Sequence, residues 1–92
     1  MQFEWDDEKE KINIKKHKLS FSIAKFVFND ENRLEIYDEE NSTDEERYIT
    51  IGIIQQEPVV INVVYTERGH RIRLISARKA TNRERKMYYD GL

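Results

Sequence analysis

Arg71 and Arg73 lie two apart in a stretch that alternates apolar and polar residues. On an extended chain both would project from one face about 7 Å apart, close to the spacing of successive phosphates along a nucleic-acid strand. Arg68 precedes them across a Gly-His turn, and Arg78 follows just beyond. The planar fork of arginine grips phosphate oxygens bidentately and stabilises charge that develops during phosphoryl transfer. The wider segment from Tyr65 to Tyr89 holds eight basic residues (these four with Lys79, Arg83, Arg85 and Lys86) against Glu67 and Glu84, a net of +6 with His70 neutral. The whole chain is −2, so the remainder carries −8. Charge segregated in this way points to a polyanion on one face, RNA or DNA first. The alternative is a solvated strand paired with acidic loops.

Other side chains could complete a site. Glu45 and, more strongly, Glu46 enter an isoleucine-rich strand beside Arg47, and a carboxylate facing arginines can act as a general base. It can equally be half of a structural ion pair. His17 ends a Lys15-Lys16-His17-Lys18 run. An imidazole among lysines is disposed to stay neutral near pH 7 and accept a proton, although a histidine at a helix end also compensates the helix dipole. Ser76 has no Gly-x-Ser-x-Gly surroundings, so serine-hydrolase chemistry is not expected; beside Arg78 its hydroxyl suits a phosphate. Trp5 and the Tyr88-Tyr89 pair could stack on bases or lie in the core. The two histidines, far apart and without carboxylates at ligand spacing, give no metal site, and no cofactor is expected.

These residues need a small scaffold. Ninety-two residues make one domain, 1–92, with 38 % hydrophobic and 37 % charged content. A chain of this size buries only about 60–65 % of its unfolded surface. There is no cysteine, which excludes disulfides and thiolate metal sites. No apolar run approaches the roughly 18 residues a membrane span requires, and the acidic start MQFEWDDEKEK has no apolar signal core. A cytoplasmic protein with no membrane engagement is expected.

The elements follow from periodicity. Phe3–Asp6 reads as a short strand or an extended entry. Asp6 or Asp7 caps a helix over DDEKEKINIKKHKL, acids first and bases last, with Ile12 and Leu19 as its buried stripe. A second helix starts near Ser20, with Phe21, Ala24, Val27 and Phe28 at helical spacing. Asn29–Asn32 is a turn. Leu34–Tyr37, Tyr48–Ile54 and Val59–Tyr65 read as strands, the last apolar enough to be covered on both faces. Gly52 marks a bulge or a close approach. Gln55–Pro58 is a hairpin turn, and Arg71–Ala77 is a strand with Ile72 and Leu74 opposite Arg71 and Arg73. Thr81 and Glu84 form a capping box ahead of a helix over Arg83–Tyr89. The sum is an α+β fold: two N-terminal helices packed on a four- to five-stranded, largely antiparallel sheet, with a C-terminal helix.

Three segments, FEWDDEKEKINIKKHKLSF, EERYITIG and VVYTERGHRIRLISARKATNRERKMYY, occur in the order in which they resemble the BrnT family of type II toxin–antitoxin ribonucleases. The resemblance spans about residues 3–89 and is densest at RIRLISARKAT. It implies a RelE-like microbial ribonuclease fold, RNA cleavage that blocks translation, and a cognate BrnA antitoxin with a ribbon-helix-helix domain. Operator DNA would be reached through that antitoxin in a hetero-oligomer. The family pattern falls on Trp5, Asp6, Lys16, His17, Glu46, Arg47, Arg68, Arg73, Ser76, Ala77, Arg78, Glu84 and Tyr88. Where the family follows its histidine with glycine, suited to a left-handed helix end, this chain has Lys18.

Metal-independent cleavage by a 2′-hydroxyl needs a base, a clamp for the pentavalent phosphorane and relief for the leaving 5′-oxygen. The residues expected to supply them are His17 or Glu46 as base, and Arg68, Arg73 and Arg78 as clamp with Ser76 assisting. Trp5, Lys16, Arg47, Arg71, Lys79 and Tyr88 are expected on the RNA. The alternative is a non-catalytic basic module that docks an antitoxin and operator DNA.

Overall fold

The computed structural model describes residues 1–55 and 57–92; the turn expected across Gln56 lies, at that residue, outside the described ones. The elements are β1 (Gln2–Glu4), α1 (Asp7–His17), α2 (Phe21–Ala24), which runs on as a 3-10 turn over Lys25–Asn29, β2 (Leu34–Tyr37), β3 (Tyr48–Ile54), β4 (Val59–Arg68), β5 (Arg71–Lys79) and α3 (Asn82–Asp90). A second 3-10 turn, Glu39–Asn41, sits in the acidic loop.

Local chemistry sets the helix ends. Asp6 accepts hydrogen bonds from the Glu8 and Lys9 amides at 2.9 and 3.1 Å, satisfying donors that α1 cannot. Lys18 takes the left-handed conformation, φ 59°, at the other end, where a Cβ costs about 1–2 kcal/mol. Thr81 and Glu84 form the reciprocal capping box of α3. Gly69, φ 61°, opens the two-residue turn between β4 and β5, so the conformation that only glycine adopts freely brings Arg68 beside Arg71.

The sheet order is β1-β5-β4-β3-β2. It is mixed rather than largely antiparallel: β1 runs parallel to β5, pairing Gln2, Phe3 and Glu4 with Arg71, Ile72 and Arg73. No local pattern announces that pairing, because its two strands lie at opposite ends of the chain. One face packs Ile61, Val63, Tyr65, Ile72, Leu74 and Ala77 against Phe21, Ala24 and Val27. The other packs Ile51, Val60 and Ala80 against Tyr88 of α3. Covered on both faces, β4 is the central strand that its apolar run implies; each large side chain it buries contributes roughly 1.5–3 kcal/mol.

Two irregularities matter for the site. The pairing of Val64 with Ser76 and of Tyr65 with Leu74 leaves Ile75 as an extra residue. This bulge reverses the alternation, so Ser76 and Arg78 emerge on the face of Arg71 and Arg73. Gly52 is not the bulge; it is the close approach, since a Cβ there would stand 2.9 Å from Val27 Cγ2 and from Arg33 Cβ.

The expected stripe of α1 is not buried. Ile12 is 65 % exposed and Asn13 is the residue that α1 buries. The cause is the edge of β5 beyond the end of β1. Asn13 donates to the Ala77 and Leu19 carbonyls at 2.8 and 2.9 Å and accepts from the Ala77 amide at 3.1 Å. One carboxamide thus replaces the missing neighbouring strand, and what α1 brings to the sheet is a hydrogen-bonding group rather than apolar surface.

Candidate active site

Strand pairing gathers the arginines at the β1–β5–β4 end. Arg68 faces Arg71 across the hairpin, and Glu4 is the register partner of Arg73. Arg73 donates to Glu4 at 2.7 Å, and Arg71 stands 3.5 Å from the other oxygen of the same carboxylate. Arg68 meets Glu45 through Nη2 and Nε at 3.0 and 3.3 Å. Each carboxyl titrates below its ordinary range, Glu4 chiefly through the Arg73 hydrogen bond and Glu45 chiefly through Arg68, with Arg47 and Arg73 adding to the field at Glu45. Arg71 is the exposed rim of the group.

Arg78 belongs to a different assembly. Its fork binds Glu84 at 2.8 and 3.0 Å, while Glu84 also accepts from Asn62 and from the Thr81 amide, each at 2.9 Å. The Arg78 pair leads in pulling Glu84 down to about 2. Four residues, the bulged Ile75 among them, separate Arg78 from Arg73, roughly 13 Å along the strand, so the expected three-arginine clamp is split. The pair ties the first turn of α3 to β5.

Glu46 does not face the arginines. Its carboxylate accepts from the Tyr48 hydroxyl at 3.2 Å, and Tyr48 stacks on Tyr65, 5.7 Å between rings, on the other face of the sheet. The neighbouring Glu45, in the bend before β3, is the carboxylate that meets an arginine, Arg68. Tyr88 is also placed otherwise than expected: it is 3 % exposed, with its hydroxyl 2.5 Å from Asp30. Burial first, and then that carboxylate, push it up to about 12. It is a core residue and cannot stack on RNA. Trp5 is half-buried edge-on to Phe21, 6.2 Å between rings.

His17 and Ser76 do come together. They line a cleft of about 200 Å³ with Lys9, Ile12, Asn13, Lys16 and Ile75. Ile75, two residues along β5 from Arg73, is the lining residue nearest the arginine group in the chain. Lys79 opens instead onto an apolar groove of about 550 Å³ that includes Ile14, Ile23 and Ile61. Among the described residues no three His, Cys, Asp or Glu side chains form a group that could hold a metal, and no helix is long and apolar enough to cross a membrane.

Glu4 and Asn13 escaped the sequence reading, and of the Glu45-Glu46 pair it is Glu45, not the favoured Glu46, that meets an arginine. Glu4 had one available signal, its place beside the Trp5-Asp6 pair; Asn13 is revealed only by long-range pairing.

Comparison with known proteins supplies the context. The family model described as "Ribonuclease toxin, BrnT, of type II toxin-antitoxin system" matches residues 5–84. The crystal structure of the Brucella abortus ribonuclease toxin BrnT superposes with a TM-score of 0.69 at 25 % identity, covering 89 % of this chain and 99 % of that one. No curated protein matches.

Proposed function

The chain belongs to the BrnT family of ribonuclease toxins from type II toxin–antitoxin systems, and from that premise we propose that it cuts RNA without a metal ion and so arrests translation. The observation that carries the reading is the convergence of Arg68, Arg71 and Arg73 on one face, where RNA phosphates would replace the carboxylates that hold them now. Guanidinium groups fixed on paired strands stabilise the developing phosphorane charge with little reorganisation. In this reading the RNA runs on into the cleft lined by Lys16, His17 and Ser76, with Lys16 on phosphate. Arg47 adds charge at the Glu45 end, and Trp5 flanks the strand that carries Glu4.

The sheet-and-helix order is read as the RelE-like ribonuclease arrangement. An antitoxin partner follows from the family; its BrnA type, its ribbon-helix-helix domain and its operator DNA are part of the same proposal. Purified protein incubated with RNA in EDTA should yield 5′-hydroxyl and 2′,3′-cyclic phosphate ends, and its expression should arrest growth. A second reading, a non-catalytic basic module for an antitoxin and operator DNA, is favoured by one observation: Arg68, Arg73 and Arg78 all sit against carboxylates, as they would against an acidic partner. Absence of cleavage of any RNA, free or ribosome-bound, would select it.

A further inference from the structure

Cleavage through a 2′-hydroxyl needs a group to take its proton, and the carboxylates near the arginines are not equivalent. Glu46 lies on the opposite face with Tyr48. The oxygens of Glu84 are engaged by Arg78, Asn62 and Thr81. Glu45 sits in the acidic loop, paired with Arg68 at the hairpin end and 40 % exposed. Glu4 differs from all of them. It stands on a strand, in register with Arg73, between two guanidinium groups, and is 25 % exposed. Among the described residues its carboxylate accepts one hydrogen bond, from Arg73, and stands 3.5 Å from Arg71, so lone pairs remain for a substrate hydroxyl.

We infer that Glu4 is the general base of the proposed cleavage, taking the 2′-hydroxyl proton beside a phosphate gripped by Arg71 and Arg73. The inference rests on the ribonuclease reading. In the step the O2′–H proton passes to the Glu4 carboxylate and a bond forms from O2′ to phosphorus. The bond from phosphorus to O5′ breaks, and the leaving oxygen takes a proton from solvent. Glu4 later returns its proton to solvent. The groups facing Glu4 are Arg71 and Arg73 of β5 and, across the hairpin, Arg68 of β4; Asp6, just beyond it in the chain, also lies in the field of Arg73. In the free protein this field holds Glu4 ionised. When a phosphate takes over the arginine donors, the carboxylate regains basicity at the moment it is needed.

The test is single-turnover cleavage of RNA in EDTA across pH 3–8 by the full chain. Glu4→Gln keeps an acceptor for Arg73 but cannot take the proton, so its rate should fall on the order of 10²–10⁴-fold. It should also lose the rise in rate through the carboxylate range that the inference predicts for wild type. Formate should restore part of the activity of Glu4→Ala and none of that of Arg73→Ala. Thermal melting checks the fold. If Glu4→Gln melts early, Glu4→Asp serves: it keeps the charge but withdraws the carboxylate by one methylene, and should cut at least about tenfold more slowly. Wild-type rates in the folded Glu4 variants, or an unchanged pH profile in Glu4→Gln, would overturn the inference alone. Failure of wild type to cleave any RNA would overturn the ribonuclease reading and this inference with it.

Discussion

Two arginines on one face of β5 meet carboxylates in opposite ways. Arg78 and Glu84 are joined by both prongs of the fork, and Glu84 is further held by Asn62 and its own capping box. Arg73 and Glu4 share one short hydrogen bond, with Arg71 waiting at 3.5 Å. The first arrangement uses up its acceptors and fastens a helix to a sheet. The second leaves acceptors and donors unsatisfied, which suits groups that exchange one anion for another. Similar residue pairs on a single strand thus serve the fold at one end and, in the proposed ribonuclease, chemistry at the other.

The comparison breaks most easily at Arg73. Arg73→Ala should lower RNA cleavage at least about 100-fold, corresponding to ~2.7 kcal/mol of transition-state stabilisation, and abolish growth arrest. Its melting temperature should stay within a few degrees of wild type, because one hydrogen bond to Glu4 is lost and that carboxylate keeps Arg71 as a partner. A large loss of folding stability instead would make Arg73 a structural residue like Arg78.

Asn13 is the next largest effect. Asn13→Ala strips hydrogen bonds from the Ala77 amide and carbonyl inside the structure and should cost about 2–3 kcal/mol. For a domain of this size that is a drop in Tm of roughly 8–24 °C. A drop under about 3 °C would show that water replaces the carboxamide.

Arg78→Ala should destabilise by about 1–2 kcal/mol, modest because a third of the Arg78 side chain is in water. Acid titration sharpens the point. The Glu84 carboxyl is depressed from 4.5 to about 2 in the folded state, so its contribution is complete above pH 4.5 and is lost as pH falls toward 2. Urea unfolding between those values should show the loss in wild type and a flatter slope in Arg78→Ala. Equal slopes would separate Glu84 from the stability of α3.

Lys18 gives the smallest effect and lies outside both pairs. Lys18→Gly relieves the left-handed backbone and should raise stability by about 0.5–1 kcal/mol without changing cleavage. A lower Tm would contradict the assigned strain.

What the sequence disclosed follows the same division. Asp6, the Thr81–Glu84 box, the apolar run of β4 and the two-apart arginines are local signals, and the structure bears out the elements they specify. Arg68 and Arg73 are legible as neighbours because a short hairpin joins them. The parallel pairing of β1 was not legible, so neither was Glu4, whose partner lies 69 residues away. The Ile75 bulge hid which face Arg78 takes. Ile12 misled because helical periodicity assumes a helix lying over a sheet, whereas α1 serves a strand edge through Asn13. Tyr88 misled because an aromatic residue in a basic segment reads as a stacking platform, and only packing against Asp30 and Val60 reveals a core residue.

The most direct test of the account is RNA cleavage in EDTA by wild type and by Arg73→Ala and Arg78→Ala at equal folded fraction. The account expects 5′-hydroxyl and 2′,3′-cyclic phosphate ends from wild type, near-wild-type rates from folded Arg78→Ala, and almost none from Arg73→Ala. Wild-type cleavage by folded Arg73→Ala, or no cleavage by wild type, would contradict it.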